Sequence, residues 1–157
     1  MKSVIERLLA LAGAFAVILV IGGGVASADE AYHTERLPFE TLSGARVLRA
    51  GQVINSHSDG PVRYAREEYM VNGAMPNASY DVIIQVYLAS ACAGTPDLAL
   101  TTAEILTNAS GQGQASHVFI PADVAPFNPP LTVHARWVLE REGIAEYRTS
   151  CTVIHLD

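Results

Sequence analysis

Five sets of residues in this 157-residue chain are of types that do chemistry: His57-Ser58-Asp59, the Glu67-Glu68 pair, Gly111-Gln112-Gly113, His117 with His134, and Cys92 with Cys151. The first holds all three residue types of a hydrolase triad, but sequence neighbours cannot converge their side chains on one proton path, and no G-x-S-x-G elbow is present. Residues 55–61 read instead as a polar turn ending in Asp59-Gly60-Pro61. Glu67 and Glu68 are adjacent, so on a strand they face opposite sides and cannot form a paired acid and base by themselves. One of the two then projects toward the core, and an ion pair with Arg63 or Arg66 is the ordinary expectation. The glycines at 111 and 113 lack the lysine and following helix of a phosphate loop, and Asn108-Ala109-Ser110-Gly111 reads as a hairpin turn. That tetrapeptide and Asn77-Ala78-Ser79 also contain glycosylation sequons on turns.

The histidines carry the one specific site hypothesis. If residues 121–130 join two consecutive strands as a hairpin, His117 falls opposite His134 on the solvent face. Cross-strand imidazoles can share a Zn²⁺ or Cu²⁺ ion, a carboxylate or water completing the shell. Placing the two strands in different sheets leaves both as solvated surface imidazoles. No other cofactor is implied.

What the cysteines mean depends on the N-terminus. Lys2 and Arg7 precede an apolar run from Leu8 to Ile21, then three glycines and Ala26-Ser27-Ala28, the order of a secretory signal peptide cleaved after Ala28. The run is short of the roughly 20 apolar residues that span a bilayer, so no membrane span is expected once it is removed. The address is secreted or extracytoplasmic, the periplasm or cell envelope. There, two cysteines most simply make one structural disulfide, Cys92–Cys151, and a redox pair would need closer spacing and a polar, exposed thiol.

Removing Lys2, Arg7 and Glu6 from 10 basic and 16 acidic residues leaves 8 and 15, a net charge of −7. That argues against nucleic acid or an anionic membrane surface as partner, since both require clustered cations. Lys2 is the only lysine, so the mature chain has none for Schiff-base or general-base chemistry.

The elements that must position these residues are strands. Residues 29–44 are polar, contain Pro38 and show no sustained period, and read as a flexible N-terminal arm. Residues 45–157 form one domain, in which apolar residues recur at spacing two over seven runs: 46–54, 62–71, 80–89, 98–106, 114–120, 131–140 and 144–156. In the third, Val82, Ile84, Val86 and Leu88 share a face, which Cys92 continues; in the sixth, Leu131, Val133, Ala135, Trp137 and Leu139 do. Arg141-Glu142-Gly143 reads as a three-residue hairpin loop that sets Trp137 opposite Tyr147, Val133 opposite Cys151 and Leu131 opposite Val153. Both cysteines then point inward. The fold class is all-β, an antiparallel two-sheet sandwich of about seven strands.

The stretch Asn72-Gly73-Ala74-Met75-Pro76-Asn77-Ala78-Ser79-Tyr80-Asp81-Val82 resembles the tyrosine corner of fibronectin type III and related immunoglobulin-like sandwiches. Pro76, Tyr80, Val82, Ile84 and Val86 carry the likeness. It implies that architecture and no activity.

The function expected from these features is that of an exported, non-catalytic β-sandwich domain with an adhesion, envelope or ligand-binding role. Its partner is a protein or a small ligand, met by loops or an exposed sheet face. Phe127, His57 and Asp59 are the candidate contacts. The alternative is a metal-handling or metal-dependent exported protein built on His117 and His134.

Overall fold

Alternating burial is the dominant feature of the chain: β3 (Ala65–Asn72) buries Ala65, Glu67, Tyr69 and Val71, while Arg66 and Glu68 face out. A period of two puts successive side chains on opposite faces and makes each strand a wall with one dry side. A computed structural model of the chain describes residues 34–57, 65–89, 91–124 and 131–156, and among them nine strands form one antiparallel sheet. The others are β1 (Thr34–Thr41), β2 (Ala50–Ser56), β4 (Ser79–Tyr87), β5 (Leu98–Leu106), β6 (Gln112–Phe119), β7 (Leu131–Arg141), β8 (Ile144–Thr149) and β9 (Thr152–Leu156). A single helical turn, α1 (Pro121–Val124), follows β6.

The strand order is β5-β4-β7-β8-β1-β2-β3-β6, with β9 also paired to β7. The two end strands, β5 and β6, are joined by residues 107–111, so the sheet curls into a nearly closed barrel. Two glycines make that corner possible. A Cβ on Gly113 would lie 2.5 Å from Ile105 Cγ2, and one on Gly111 (φ 74°) would lie 2.2 Å from the Ala74 carbonyl oxygen. Any side chain at either place drives the β5–β6 turn off the barrel.

The fold is all-β and antiparallel as expected, but the described strands form one sheet of nine rather than a two-sheet sandwich of about seven, and further expectations change with it. Residues 34–41, read as part of a loose arm, are strand β1: Thr34 to Pro38 pair with β2, and Phe39 to Thr41 pair with β8. Pro38, which has no N–H, is the last residue paired to β2 before β1 passes to β8. The β7–β8 hairpin turns on two residues, Glu142 (φ 54°) and Gly143 (φ 74°), rather than three. A bulge at Leu139/Glu140 then sets Leu139 opposite Tyr147 and Val138 opposite Arg148. The final run is two strands, broken at Ser150 and Cys151, and β9 pairs Val133 with Ile154 and Leu131 with Leu156.

The disulfide is present, Cys92 and Cys151 having Cα atoms 5.7 Å apart. Of the two inward positions expected, that of Cys92 is buried and that of Cys151 is not. Cys151 is exposed in the β8–β9 break, and Cys92 sits in the loop after β4 with φ 54°. The bridge ties together chain from the two flanks of β7, where Arg136 Nη1 also donates to the Cys92 carbonyl at 3.3 Å. The leader (residues 1–28), Asp59 and Phe127 lie outside the described residues.

The barrel core is dominated by Trp137, Tyr69, Tyr80, Tyr147, Ile105 and Leu139, all fully buried. The predicted faces of β4 and β7 hold, except that Leu88, beyond the end of β4, is exposed.

Candidate functional site

Strands β2, β3 and β6 lie side by side in register, so residues directly opposite one another form rungs across them. On the inner face one rung is Val53–Tyr69–Ala115 and the next is Asn55–Glu67–His117. Opposed side chains start about 5 Å apart. An amide, a carboxyl and an imidazole are thus lined up inside the barrel where apolar side chains are expected.

Glu67 is 1% exposed. Its Oε2 accepts hydrogen bonds from the Tyr69 hydroxyl and, at 2.7 Å, from the indole Nε1 of Trp137, the only tryptophan in the chain. Tyr69 Oη is in turn 2.8 Å from Thr102 Oγ1, which is 3.3 Å from the Val82 carbonyl. Removing a carboxylate from water costs several kcal/mol. Two donors do not offset that, and burial pushes the Glu67 carboxyl up to about 7, the Tyr69 and Trp137 bonds pulling against it. Burial and the adjacent Glu67 charge likewise raise the Tyr69 hydroxyl well above its ordinary value.

Asn55, 2% exposed, places its Nδ2 3.3 Å from His57 Nε2. Asn55 Oδ1 is buried with no hydrogen-bond partner, and so is His117 Nε2. The His117 ring packs edge-on against Phe119 at 4.6 Å between centroids, and Asp123 Oδ2 stands 3.7 Å from its Nε2.

The sequence-named residues are therefore redistributed. His117 and His134 do not face each other: β6 pairs with β3, while His134 on β7 lies between Tyr87 of β4 and Val153 of β9. The presumed hairpin fails because β6 closes against β3 and β7 takes the centre of the sheet. Among the described residues no group of three or more His, Cys, Asp or Glu is placed to hold a metal ion. His57 is buried beside Asn55 rather than exposed on a solvent loop. The glutamate pair splits as the alternation requires, with Glu68 outside on Arg66 at 3.1 Å and Glu67 inside.

The outer face of the same strands holds a groove of about 950 Å³. Two outer rungs floor it, Pro38–Gln52–Met70–Gln114 and Ala50–Asn72–Gln112, with Leu106 and Asn108 at one end. Five amide side chains line it and no charged one does. Asn108 Oδ1 is committed to the turn, accepting from the backbone N–H of Ser110 and Gln112, whereas Asn72 Oδ1 is buried without a partner.

A second buried polar group lies at the other side of the barrel. The Tyr80 hydroxyl accepts from the Met75 N–H at 3.2 Å and donates to Glu146 Oε2 at 2.9 Å, while Arg141 Nη2 binds Glu146 Oε1 at 2.6 Å. Burial raises the Tyr80 hydroxyl. Every member has a partner, so this set acts as a brace across the β7–β8 hairpin. Glu146 could not be singled out beforehand, because the register that turns it inward depends on the two-residue turn and the bulge.

Compared with known protein families, curated proteins and solved structures, the chain matches none.

Proposed function

We propose that the chain is an exported, non-catalytic, immunoglobulin-like β domain that captures a neutral, hydroxyl-rich ligand, a segment of oligosaccharide, on the outer face of β2, β3 and β6. The observation that carries this is the amide-lined groove. In a chain of net charge −6, twelve lining residues without a single charge set this groove apart. Amide side chains offer both donors and acceptors in one plane, the complement of vicinal hydroxyls, and the Met70, Pro38 and Leu106 side chains offer apolar contact to sugar C–H faces. The unpartnered Asn72 Oδ1 calls for a donor in the groove.

Export is supported by the leader-like first 28 residues together with the disulfide, which is compatible with an oxidising compartment. Among the described residues no helix is long and apolar enough to cross a membrane. The immunoglobulin-like reading is supported by the Tyr80 hydroxyl bonding back to the Met75 N–H, the hydrogen bond of a tyrosine corner. A non-catalytic role is supported by the separation of Glu67 and Glu68 to opposite faces, which leaves the buried acid without an acidic partner.

The test is a glycan array followed by calorimetry on the oxidised protein. A neutral oligosaccharide should bind, and the double substitution Gln52→Ala with Gln114→Ala should weaken it at least tenfold, on the order of 1.4 kcal/mol, while the melting temperature stays the same. Binding only of charged ligands or of a protein partner, or neutral-glycan binding untouched by the double substitution, rejects this reading.

A further inference from the structure

We propose that the Asn55–Glu67–His117 rung inside the barrel is a second binding site, for the ammonium head of a small primary amine. It is independent of the outer groove. The argument begins with a missing charge. Glu67 is buried, yet no described cation serves it: Arg66 lies outside on Glu68, Arg136 is held by Gln85 at 2.8 Å and over the Tyr87 ring, and Arg141 is held by Glu146. Buried carboxylates are ordinarily paired.

The second observation is independent of Glu67. Asn55 is 2% exposed, and its Oδ1 has no partner because its Nδ2 is turned to His57. A buried amide oxygen left bare signals an absent donor. His117 Nε2, on the far side of Glu67 in the same rung, is also buried and bare of hydrogen bonds. One carboxylate, one amide oxygen and, in the tautomer that carries its proton on Nδ1, the His117 Nε2 make three acceptors on neighbouring strands. An R–NH₃⁺ group has three N–H donors and no acceptor, the inverse of this set.

The walls select against the other cations. Tyr69 and Trp137 turn their O–H and N–H to Glu67 and Phe119 packs on the His117 ring, so the rest of the wall is aromatic carbon, which does not replace the water shell of a hydrated divalent ion. The rung Val53–Tyr69–Ala115 closes the site below. His117, whose side chain is 25% exposed although its Nε2 is buried, marks the solvent side of the rung.

The titratable and polar groups that face Glu67 are His57 and Asn55 from β2, Tyr69 from β3, Thr102 from β5, His117 from β6 with Asp123 of α1 beyond it, and Trp137 from β7. Binding the ammonium keeps Glu67 ionised. Because the free carboxyl holds its proton up to about 7, uptake of the cation releases that proton below neutrality, and affinity falls as pH drops.

The experiment titrates the oxidised protein with methylammonium chloride, using sodium and tetramethylammonium chloride at equal ionic strength as controls. Fluorescence and the indole N–H resonance of Trp137, which is bonded to Glu67, report occupancy. At pH 8 methylammonium should give a saturable shift that the controls do not give, and at pH 6 it should bind roughly tenfold more weakly. Glu67→Gln should abolish the shift. Asn55→Ala, which leaves the carboxyl in place, should weaken it about tenfold. No saturable shift at pH 8, an equal response to sodium, or a shift retained in both variants overturns the proposal.

Discussion

Replacing Glu67 by glutamine tests the physical account of the barrel interior, and its sign can be worked out in advance. The carboxyl titrates at 4.5 when unperturbed and at about 7 in the fold, where burial dominates. Between those values the folded protein keeps a proton that the unfolded chain has lost. Glu67 therefore favours the fold at low pH, and that contribution disappears as pH rises from 4.5 to about 7. One pH unit of difference is about 1.4 kcal/mol, so between pH 5 and pH 8 the loss is roughly 2.5 kcal/mol. Glutamine carries no titration, keeps an oxygen for the Tyr69 and Trp137 donors, and turns an N–H₂ toward the rung in which Asn55 Oδ1 is bare. Urea melts of both proteins at pH 5 and pH 8, followed by Trp137 fluorescence in amine-free buffer, give the four free energies. Glu67→Gln should gain on wild type by about 2.5 kcal/mol on going from pH 5 to pH 8, a relative shift on the order of 10 °C in thermal melts. Other carboxylates and histidines titrate in both proteins and cancel. A wild-type-minus-variant gap that stays constant to within about 0.5 kcal/mol refutes the reasoning, since Glu67 would then titrate alike in both states.

Two other outcomes follow from the braces of the fold. Reducing Cys92–Cys151, or replacing both cysteines by serine, frees a separation of 59 residues and should cost roughly 4 kcal/mol in the chain-entropy account, read as a lower urea midpoint. Tyr80→Phe removes both the acceptor for the Met75 N–H and the donor to Glu146, and should cost roughly 1–3 kcal/mol, with ligand binding at the outer groove unaffected.

The strand faces were legible because period-two burial is a local property: Val82, Ile84 and Val86 or Val133, Ala135 and Trp137 declare a dry side without knowledge of any neighbour. The same alternation required one of Glu67 and Glu68 to turn inward, and it is Glu67. What alternation cannot show is which strand lies next door. His117 and His134 were paired on the assumption that consecutive strands are adjacent, but β6 closes on β3 and β7 runs between β4 and β8. Strand β1 was hidden by Pro38 and by Glu35, Arg36 and Glu40, although Leu37 and Phe39 two apart carry its inward face. The cysteines were paired correctly from compartment and number alone, and Cys92 is buried as expected, while the inward orientation of Cys151 failed because the break at Ser150 and Cys151 resets the phase of the last run.

Because β2, β3 and β6 carry both proposed sites, one on each face, a single variable separates them. The outer groove has no charged lining residue, so its affinity for a neutral ligand should be flat between pH 6 and pH 8. The inner rung contains Glu67, which changes charge near 7, so an amine held there must follow pH. Adjacent residues in one strand alternate faces, so Gln52 and Asn55 report on opposite sides although only three positions apart. A ligand whose binding is flat with pH and lost in Gln52→Ala sits outside the barrel, and one that strengthens with pH and weakens in Asn55→Ala sits within it.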